Sequence, residues 1–182
     1  IEYYKGIFTI LSSCASRQLE EVTFRRTVIP VQELLDAAGK YFKKLMKNRP
    51  ERIELEIESM EAKVIGDVNQ LRFLLENLID EALTVREDGV IRLQARKDNE
   101  YIRFLFTDTR REKSVEELNQ LFYPNLARMT SGEKGELRGT EYLVCKQIIR
   151  DHDEFAGRRG CRINAEPAEG GGFTVYFTIP RR

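Results

Sequence analysis

The chain has 182 residues, of which 30 are Lys or Arg and 30 are Asp or Glu, so its formal net charge is zero. This balance argues against attachment to nucleic acid or to an anionic membrane by long-range electrostatics. Its apolar runs are shorter than the roughly 20 residues of a membrane-spanning helix. The composition therefore predicts one globular domain with a short appendage, and no nucleic acid or membrane contact in this segment.

The three cysteines are Cys14, Cys145 and Cys161. An odd count without a Cys-x-x-Cys pair indicates neither a disulfide framework nor a zinc site. We therefore expect reduced thiols in a cytoplasmic compartment. Because the chain begins at Ile1 and not at Met, we expect it to be cut from a longer protein, and a membrane anchor elsewhere in that protein is compatible with this segment.

Helical and extended patterns alternate along the chain. Apolar residues at helical spacing predict a helix within residues 1–21, and strict alternation of apolar and charged residues over 52–58 predicts a half-buried strand. Asp67 is a predicted N-cap. The other predicted elements are an extended segment at 27–30, helices over 31–46, 67–84, 114–122 and 140–150, strands over 62–65, 89–96, 101–106, 161–165 and 173–179, and a polar loop over 125–138. This order predicts an α/β two-layer sandwich, with one mixed, mostly antiparallel sheet and helices on one face.

Four segments resemble, in order, the nucleotide-binding boxes of sensor histidine kinases. GDVNQLRFLLENLIDEALT (66–84) resembles the asparagine box, FLFTDTRRE (104–112) the first glycine box, LFYP (121–124) the phenylalanine box and LRGTEYLVCKQIIRDH (137–152) the second glycine box. The resemblance implies the Bergerat-type fold of the histidine kinase and gyrase ATPase superfamily over residues 24–182. The helix within 1–23 then resembles the end of a dimerisation hairpin, although a helix packed on its own domain is equally compatible.

Three residues of the family's nucleotide site are retained. The resemblance implies that Asp108 takes the adenine amino group, that Asn77 orients water or assists proton transfer, and that Gly139 is the middle glycine of the phosphate-binding loop. His152 matches a structural histidine at the end of the second-box helix.

Most other contact residues are replaced. Glu81 stands at the magnesium asparagine, and it could ligate magnesium only by adding negative charge beside the triphosphate. The remaining replacements are Arg110 and Glu112 at glycines of the first box, Leu137 and Glu141 at glycines of the second, Thr84 at a basic residue and Gly171 at a threonine that supports adenine recognition. We hypothesise that Arg110 and Glu112 fill the phosphate end of the cleft.

These substitutions predict a degenerate, pseudo-kinase domain that acts in a signalling protein by contact with a protein partner, or with a second copy through the N-terminal helix. No cofactor is then expected. The alternatives are an active histidine kinase, with ATP on Asp108 and magnesium on Glu81, a nucleotide sensor, and a structural dimerisation module. The acidic Glu76, Asp80 and Glu81 are expected to form a solvated helix face or a remnant of the cleft, and the basic runs at 110–113 and 158–159 are expected to be solvated loops.

Overall fold

A computed structural model describes residues 24–124, 130–131 and 137–182 of the protein. The expected N-terminal helix, its dimer contact, Cys14 and most of the loop at 125–138 lie outside these residues. Within the described residues, no helix is both long enough and apolar enough to cross a membrane.

A five-stranded sheet forms one layer. Its strands are β2 (Ile53–Ile57), β4 (Gly89–Asp98), β5 (Tyr101–Asp108), β8 (Ile163–Pro167) and β9 (Phe173–Pro180). They lie in the order β2-β4-β5-β9-β8. Only β2 and β4 are parallel, and the other neighbours are antiparallel, which confirms a mixed, mostly antiparallel sheet. Two small antiparallel pairs lie outside it, β1 (Thr27–Pro30) with β3 (Lys63–Gly66) and β6 (Thr130–Ser131) with β7 (Leu137–Arg138).

The helices form the second layer. They are α1 (Val31–Met46), α2 (Val68–Ala82), α3 (Val115–Asn119) and α4 (Glu141–Phe155). Asp67 caps α2 by accepting hydrogen bonds from the backbone N–H groups of Asn69 and Gln70, and Ser114 and Glu117 form a capping box on α3. The predicted α/β two-layer sandwich is therefore the observed fold.

The core lies between the sheet and these helices. Alternate residues of β5 are buried, and Phe104 stacks on Phe177 of β9 with ring centroids 4.9 Å apart. The alternate side chains of β5 on the opposite face are partly exposed, as the period of two in the sequence predicts, whereas β9 is buried along almost its whole length.

Several predicted boundaries differ from the structure by a few residues, and three of these differences have a clear physical cause. Helix α4 runs to Phe155, beyond the predicted end at residue 150, because His152 faces the core and is fully buried. Helix α3 ends at Asn119, since Leu121 and Phe122 turn into the core. Strand β8 starts two residues late, because the N–H groups of Gly160 and Cys161 bond to the Asp153 side chain instead of entering the sheet.

Candidate nucleotide cleft

The ends of three elements meet at one place in the fold. Strand β5 ends at Asp108, Glu81 lies in the last turn of α2, and Tyr142 lies in the first turn of α4. Side chains from the loop after β5 join all three. The structure thus brings together Asp108 and Glu81, two residues that the sequence comparison assigns to opposite ends of a nucleotide.

The Asp108 carboxylate is buried, with 2% of its side chain exposed, and it is fully hydrogen-bonded. Its Oδ1 accepts from the backbone N–H and the Nε–H of Arg110, at 3.0 and 2.9 Å. Its Oδ2 accepts from the Arg110 guanidinium at 3.0 Å and from Arg111 Nε at 3.1 Å. A carboxylate offers about four acceptor positions, so Asp108 has none left for an adenine amino group.

Arg110, like Asp108, has all of its side-chain hydrogen-bonding groups paired. Beyond Asp108, its guanidinium donates to the backbone carbonyls of Ala82, Val85 and Glu87, at 2.6, 2.9 and 2.9 Å. These bonds and those to Asp108 use all five N–H groups of the guanidinium. Only 1% of the side chain is exposed, so Arg110 is a structural ion in the wall below the cleft.

Arg111 crosses the cleft. Its Nε donates to Asp108, while its two terminal nitrogens donate to the two oxygens of Glu81, at 3.0 and 2.7 Å. The guanidinium lies 5.3 Å from the centre of the Phe173 ring. Burial by itself would lower the pKa of Arg111, but the hydrogen bonds and charge of Glu81 outweigh it and raise that pKa. Arg111 is therefore a permanent cation held between the two carboxylates.

Tyr142 completes the binding of Glu81. Its hydroxyl donates to Glu81 Oε2 at 2.5 Å, and Phe122 packs against its ring. Burial and the charge of Glu81 raise the pKa of Tyr142 well above its ordinary value, so the phenol stays a donor. Both oxygens of Glu81 are therefore hydrogen-bonded within the protein, to Arg111 and Tyr142. Within the described residues, no group of three or more His, Cys, Asp or Glu could hold a metal ion.

The start of α4 is the place where the second glycine box would bind phosphate. Gly139 has φ +83° there, in the left-handed region. Burial and then the charges of Glu81 and Asp80 raise the pKa of Glu141, against the opposing effect of the backbone at Glu141 and Gly139. A carboxylate of the protein itself thus lies in the first turn of the helix, where a helix N-terminus would otherwise favour phosphate.

The other residues of the asparagine box also bond within the protein. The Asn77 amide donates to the Phe73 carbonyl one turn earlier, at 2.8 Å, and the Thr84 hydroxyl donates to the Glu81 carbonyl at 2.6 Å. Asp80 accepts from the Tyr41 hydroxyl at 2.6 Å. Asp80 and Glu81 are therefore not a freely solvated helix face, and of the two expectations for the acidic cluster a cleft remnant describes them better.

His152 is structural, as the resemblance implies. It is fully buried, and its Nε2 accepts from the Asp67 N–H at 3.1 Å while its Nδ1 lies 2.8 Å from the Ile148 carbonyl. A Cβ on Gly66 would lie 2.8 Å from its ring. It joins the end of α4 to the start of α2 and thereby fixes the helices that frame the cleft.

The basic run after β5 corrects two expectations. Arg110 and Arg111 are buried in ion pairs and are not solvated, and Glu112 is exposed instead of filling the phosphate end beside Arg110. The sequence reasoning missed Arg111 and Tyr142 because neither stands at a box position. Arg158 and Arg159 do lie on an exposed loop, in ion pairs with Glu100, Asp153 and Glu154.

Comparison with known proteins agrees with this architecture. Residues 66–182 match the model of the histidine kinase-, DNA gyrase B-, and HSP90-like ATPase family. The catalytic domain of histidine kinase ThkA is similar at 21% identity and a TM-score of 0.67, over 86% of this chain and 96% of that one. The mycobacterial sensor histidine kinase MprB is similar at 18% identity and a TM-score of 0.67, over 87% and 99%.

A third similar structure holds ThkA in complex with the response regulator protein TrrA, at 19% identity and a TM-score of 0.66, over 98% of this chain and 49% of that one. Among curated proteins, none matches this chain significantly. Because the family model covers well over half of the residues, the chain belongs to the histidine kinase-, DNA gyrase B-, and HSP90-like ATPase family.

Proposed function

We propose that this protein is a degenerate histidine-kinase-like ATPase domain whose nucleotide cleft is closed by its own side chains. It acts in a signalling protein by protein contact, with little or no phosphoryl transfer. The observation that carries the proposal is the pairing of Asp108 with Arg110 and Arg111, and of Arg111 with Glu81.

The free energy needed to break these ion pairs supports a closed cleft at the end where adenine would bind. An adenine amino group would have to displace a guanidinium from Asp108, and displacing Arg111 would also leave Glu81 without its cation. Breaking a buried ion pair costs about 3–5 kcal/mol. Micromolar affinity corresponds to about 8 kcal/mol. The displacement would therefore consume a large part of any binding energy.

The charge at the other end supports closure as well. Asp80, Glu81 and Glu141 are close enough that the first two raise the pKa of the third. Thr84 supplies no positive charge where the family has a basic residue. Phosphoryl transfer depends on cations that neutralise the transferred group, and this end of the cleft is acidic.

The rival function is an active ATP-dependent histidine kinase. It is favoured by the retention of Asp108, Asn77 and Gly139 and by the similarity of the fold to ThkA and MprB. It requires Arg111 to leave Asp108 and Glu81 when ATP and magnesium bind.

A nucleotide sensor requires displacement at Asp108 alone and predicts similar ADP and ATP affinities with little magnesium dependence. A structural dimerisation module predicts a dimer that weakens on removal of residues 1–21.

The test is calorimetric titration of the domain with ATP and ADP, with and without magnesium. We expect no binding up to millimolar nucleotide. Magnesium-dependent micromolar binding that disappears in Asp108→Asn would overturn the proposal in favour of the kinase.

A restored variant sharpens that test. It combines Arg110→Gly, Glu81→Asn and Glu141→Gly, which return the family's residue types to the cleft, with Arg111→Ala, which removes the guanidinium between Asp108 and Glu81. We expect this variant to gain weak nucleotide binding where the parent shows none. A matched control carries four substitutions of exposed charges, Arg92→Ala, Arg96→Ala, Glu54→Asn and Glu166→Gly, and should gain nothing.

The setting we propose is two-component signalling, in the cytoplasm. The ThkA–TrrA complex shows that a similar protein binds a response regulator. For this chain, a protein partner or a second copy bound through the N-terminal helix follows from the same proposal. Co-purification with tagged domain, with and without residues 1–23, separates the two.

A further inference from the structure

Strand β2 is an edge of the main sheet. It pairs with β4 on one side, and no strand among the described residues pairs with it on the other. The opposite edge, β8, ends at Pro167, and a proline cannot donate a hydrogen bond to an added strand. Strand β2 contains no proline or lysine, which are common devices that protect an edge.

The free backbone groups of β2 can be assigned from its ladder. The Arg52 carbonyl accepts from the Gly89 N–H, and the Glu58 N–H donates to the Leu93 carbonyl. In a parallel ladder alternate residues face the same neighbour, so the backbone groups of Glu54 and Glu56 also face β4. Those of Ile53, Leu55 and Ile57 face outward, where an added strand would pair with them.

A groove runs between this edge and helix α1. A cavity of about 750 Å³ lies between them, and a second cavity of about 640 Å³, lined by residues 59–63, shares Gln32 and Ser59 with the first. Gly39 allows the helix to approach the strand, because a Cβ there would lie 3.1 Å from Ile57 Cδ1. The larger cavity is lined by the apolar Leu35, Phe42, Leu55 and Ile57 and also by charged residues, which are Asp36, Lys40 and Lys43 on the helix and Glu54 and Glu56 on the strand.

The charges along β2 indicate which kind of strand could bind at this edge. Glu54, Glu56 and Glu58 are exposed on the open face of the sheet, in a row along β2 and its end. Glu56 and Glu58 form exposed ion pairs with Arg92 and Arg96 of the neighbouring strand β4, and because exposed pairs are weak, these carboxylates can also pair with a basic side chain on an added strand. Opposite charges across a strand pair are favourable and like charges are unfavourable. In a symmetric antiparallel pairing of two copies centred on Leu55, Glu54 of one would face Glu56 of the other. A second copy is therefore disfavoured, and a basic strand is favoured.

We propose that the β2–α1 groove is a docking site for an extended protein segment in which apolar and basic residues alternate. The segment adds a strand to β2. Its apolar side chains enter the groove toward Leu35 and Phe42, and its basic side chains face Glu54 and Glu56. This inference rests on the proposed function, because it states the chemistry of the protein partner, but its test involves no nucleotide.

The test uses a synthetic peptide of about seven residues in which valine and arginine alternate. This length spans the five residues of β2 and extends one residue beyond each end. We expect binding by fluorescence anisotropy, with amide chemical-shift changes at Ile53, Leu55 and Ile57. A peptide with valine and glutamate should bind at least tenfold more weakly. N-methylation of the alternate amides that face β2 should also weaken binding tenfold or more, without any change to the protein.

Two protein variants complete the test. Leu55→Pro removes an outward N–H and leaves the β4 ladder intact, so it should abolish binding; Glu54→Lys should weaken it tenfold. Glu166→Lys, the same charge change on the far edge, is the control and should bind as the parent does. Equal binding of both peptides, or retained binding in Leu55→Pro with an unchanged circular dichroism spectrum, would overturn the proposal. So would a dimer that dissociates in Leu55→Pro, since a second copy would then occupy the edge.

Discussion

The two terminal nitrogens of Arg111 donate to the two oxygens of Glu81, at 3.0 and 2.7 Å, and its Nε donates to Asp108. In relatives that use nucleotide, the resemblance places adenine on the position of Asp108 and magnesium on that of Glu81. One arginine side chain therefore connects the two ends of the cleft where a ligand would otherwise do so. The connection makes the cleft part of the folded core, and its residues should contribute to stability.

We predict that Arg111→Ala lowers the free energy of unfolding by about 3 kcal/mol, because it leaves the mostly buried Glu81 without its cation. Urea denaturation measures this. The control is Arg92→Ala, which removes an exposed pair with Glu56 and should cost less than about 1 kcal/mol. Equal losses in the two variants would contradict a structural role for Arg111.

We predict that Asp108→Asn destabilises the protein by about 3–5 kcal/mol. The change removes the charge beside the buried Arg110 and turns amide donors toward its N–H groups. In a domain that keeps Asp108 for a ligand, the same change would affect ligand binding more than folding. Asp98→Asn, in an exposed pair with Arg103, is the matched control and should be nearly neutral. A shift in thermal midpoint no larger than that of the control would refute the prediction.

Glu141 gives a prediction about pH. Burial and the nearby charges of Glu81 and Asp80 raise its pKa in the folded state above the ordinary 4.5. As pH rises above 4.5, the unfolded chain loses this proton first, so the folded state becomes less stable until the folded pKa is passed. Glu141→Gln should therefore stabilise the protein at pH 7, and the gain should vanish below about pH 4.

Unfolding midpoints of parent and Glu141→Gln between pH 4 and pH 7 measure this difference. Glu169→Gln makes the same change in an exposed turn and is the control. A stabilisation by Glu141→Gln that stays constant over this range would show that the charge is not its cause.

The described cysteines should be unreactive in the native state. Burial and then the nearby Asp153 raise the pKa of Cys161 to about 12, so on the order of one thiol in ten thousand is ionised at pH 8. Burial also raises the pKa of Cys145, which is fully enclosed. In a Cys14→Ser background, a thiol reagent should label neither within minutes at pH 8 and both in denaturant. Fast native labelling would contradict this packing.

The sequence by itself determined the elements, the family and the identity of the substitutions. Periods of two and 3.6 residues predict β5 and α1 without tertiary information, and the capping chemistry of Asp67 and Ser114 is local. The resemblance of the boxes to those of sensor histidine kinases implies that Asp108, Glu81 and Gly139 lie around one cleft.

Only the tertiary structure decided what those residues bind. Arg110 and Arg111 are adjacent in the sequence, and nothing local distinguishes them from the solvated Arg158 and Arg159. Their burial depends on α2 ending beside β5, which places the carbonyls of Ala82, Val85 and Glu87 around one guanidinium and Glu81 beside the other. Tyr142 reaches Glu81 from 61 residues away in sequence. Such contacts arise from the packing of separate elements, which no sequence pattern of a single element contains.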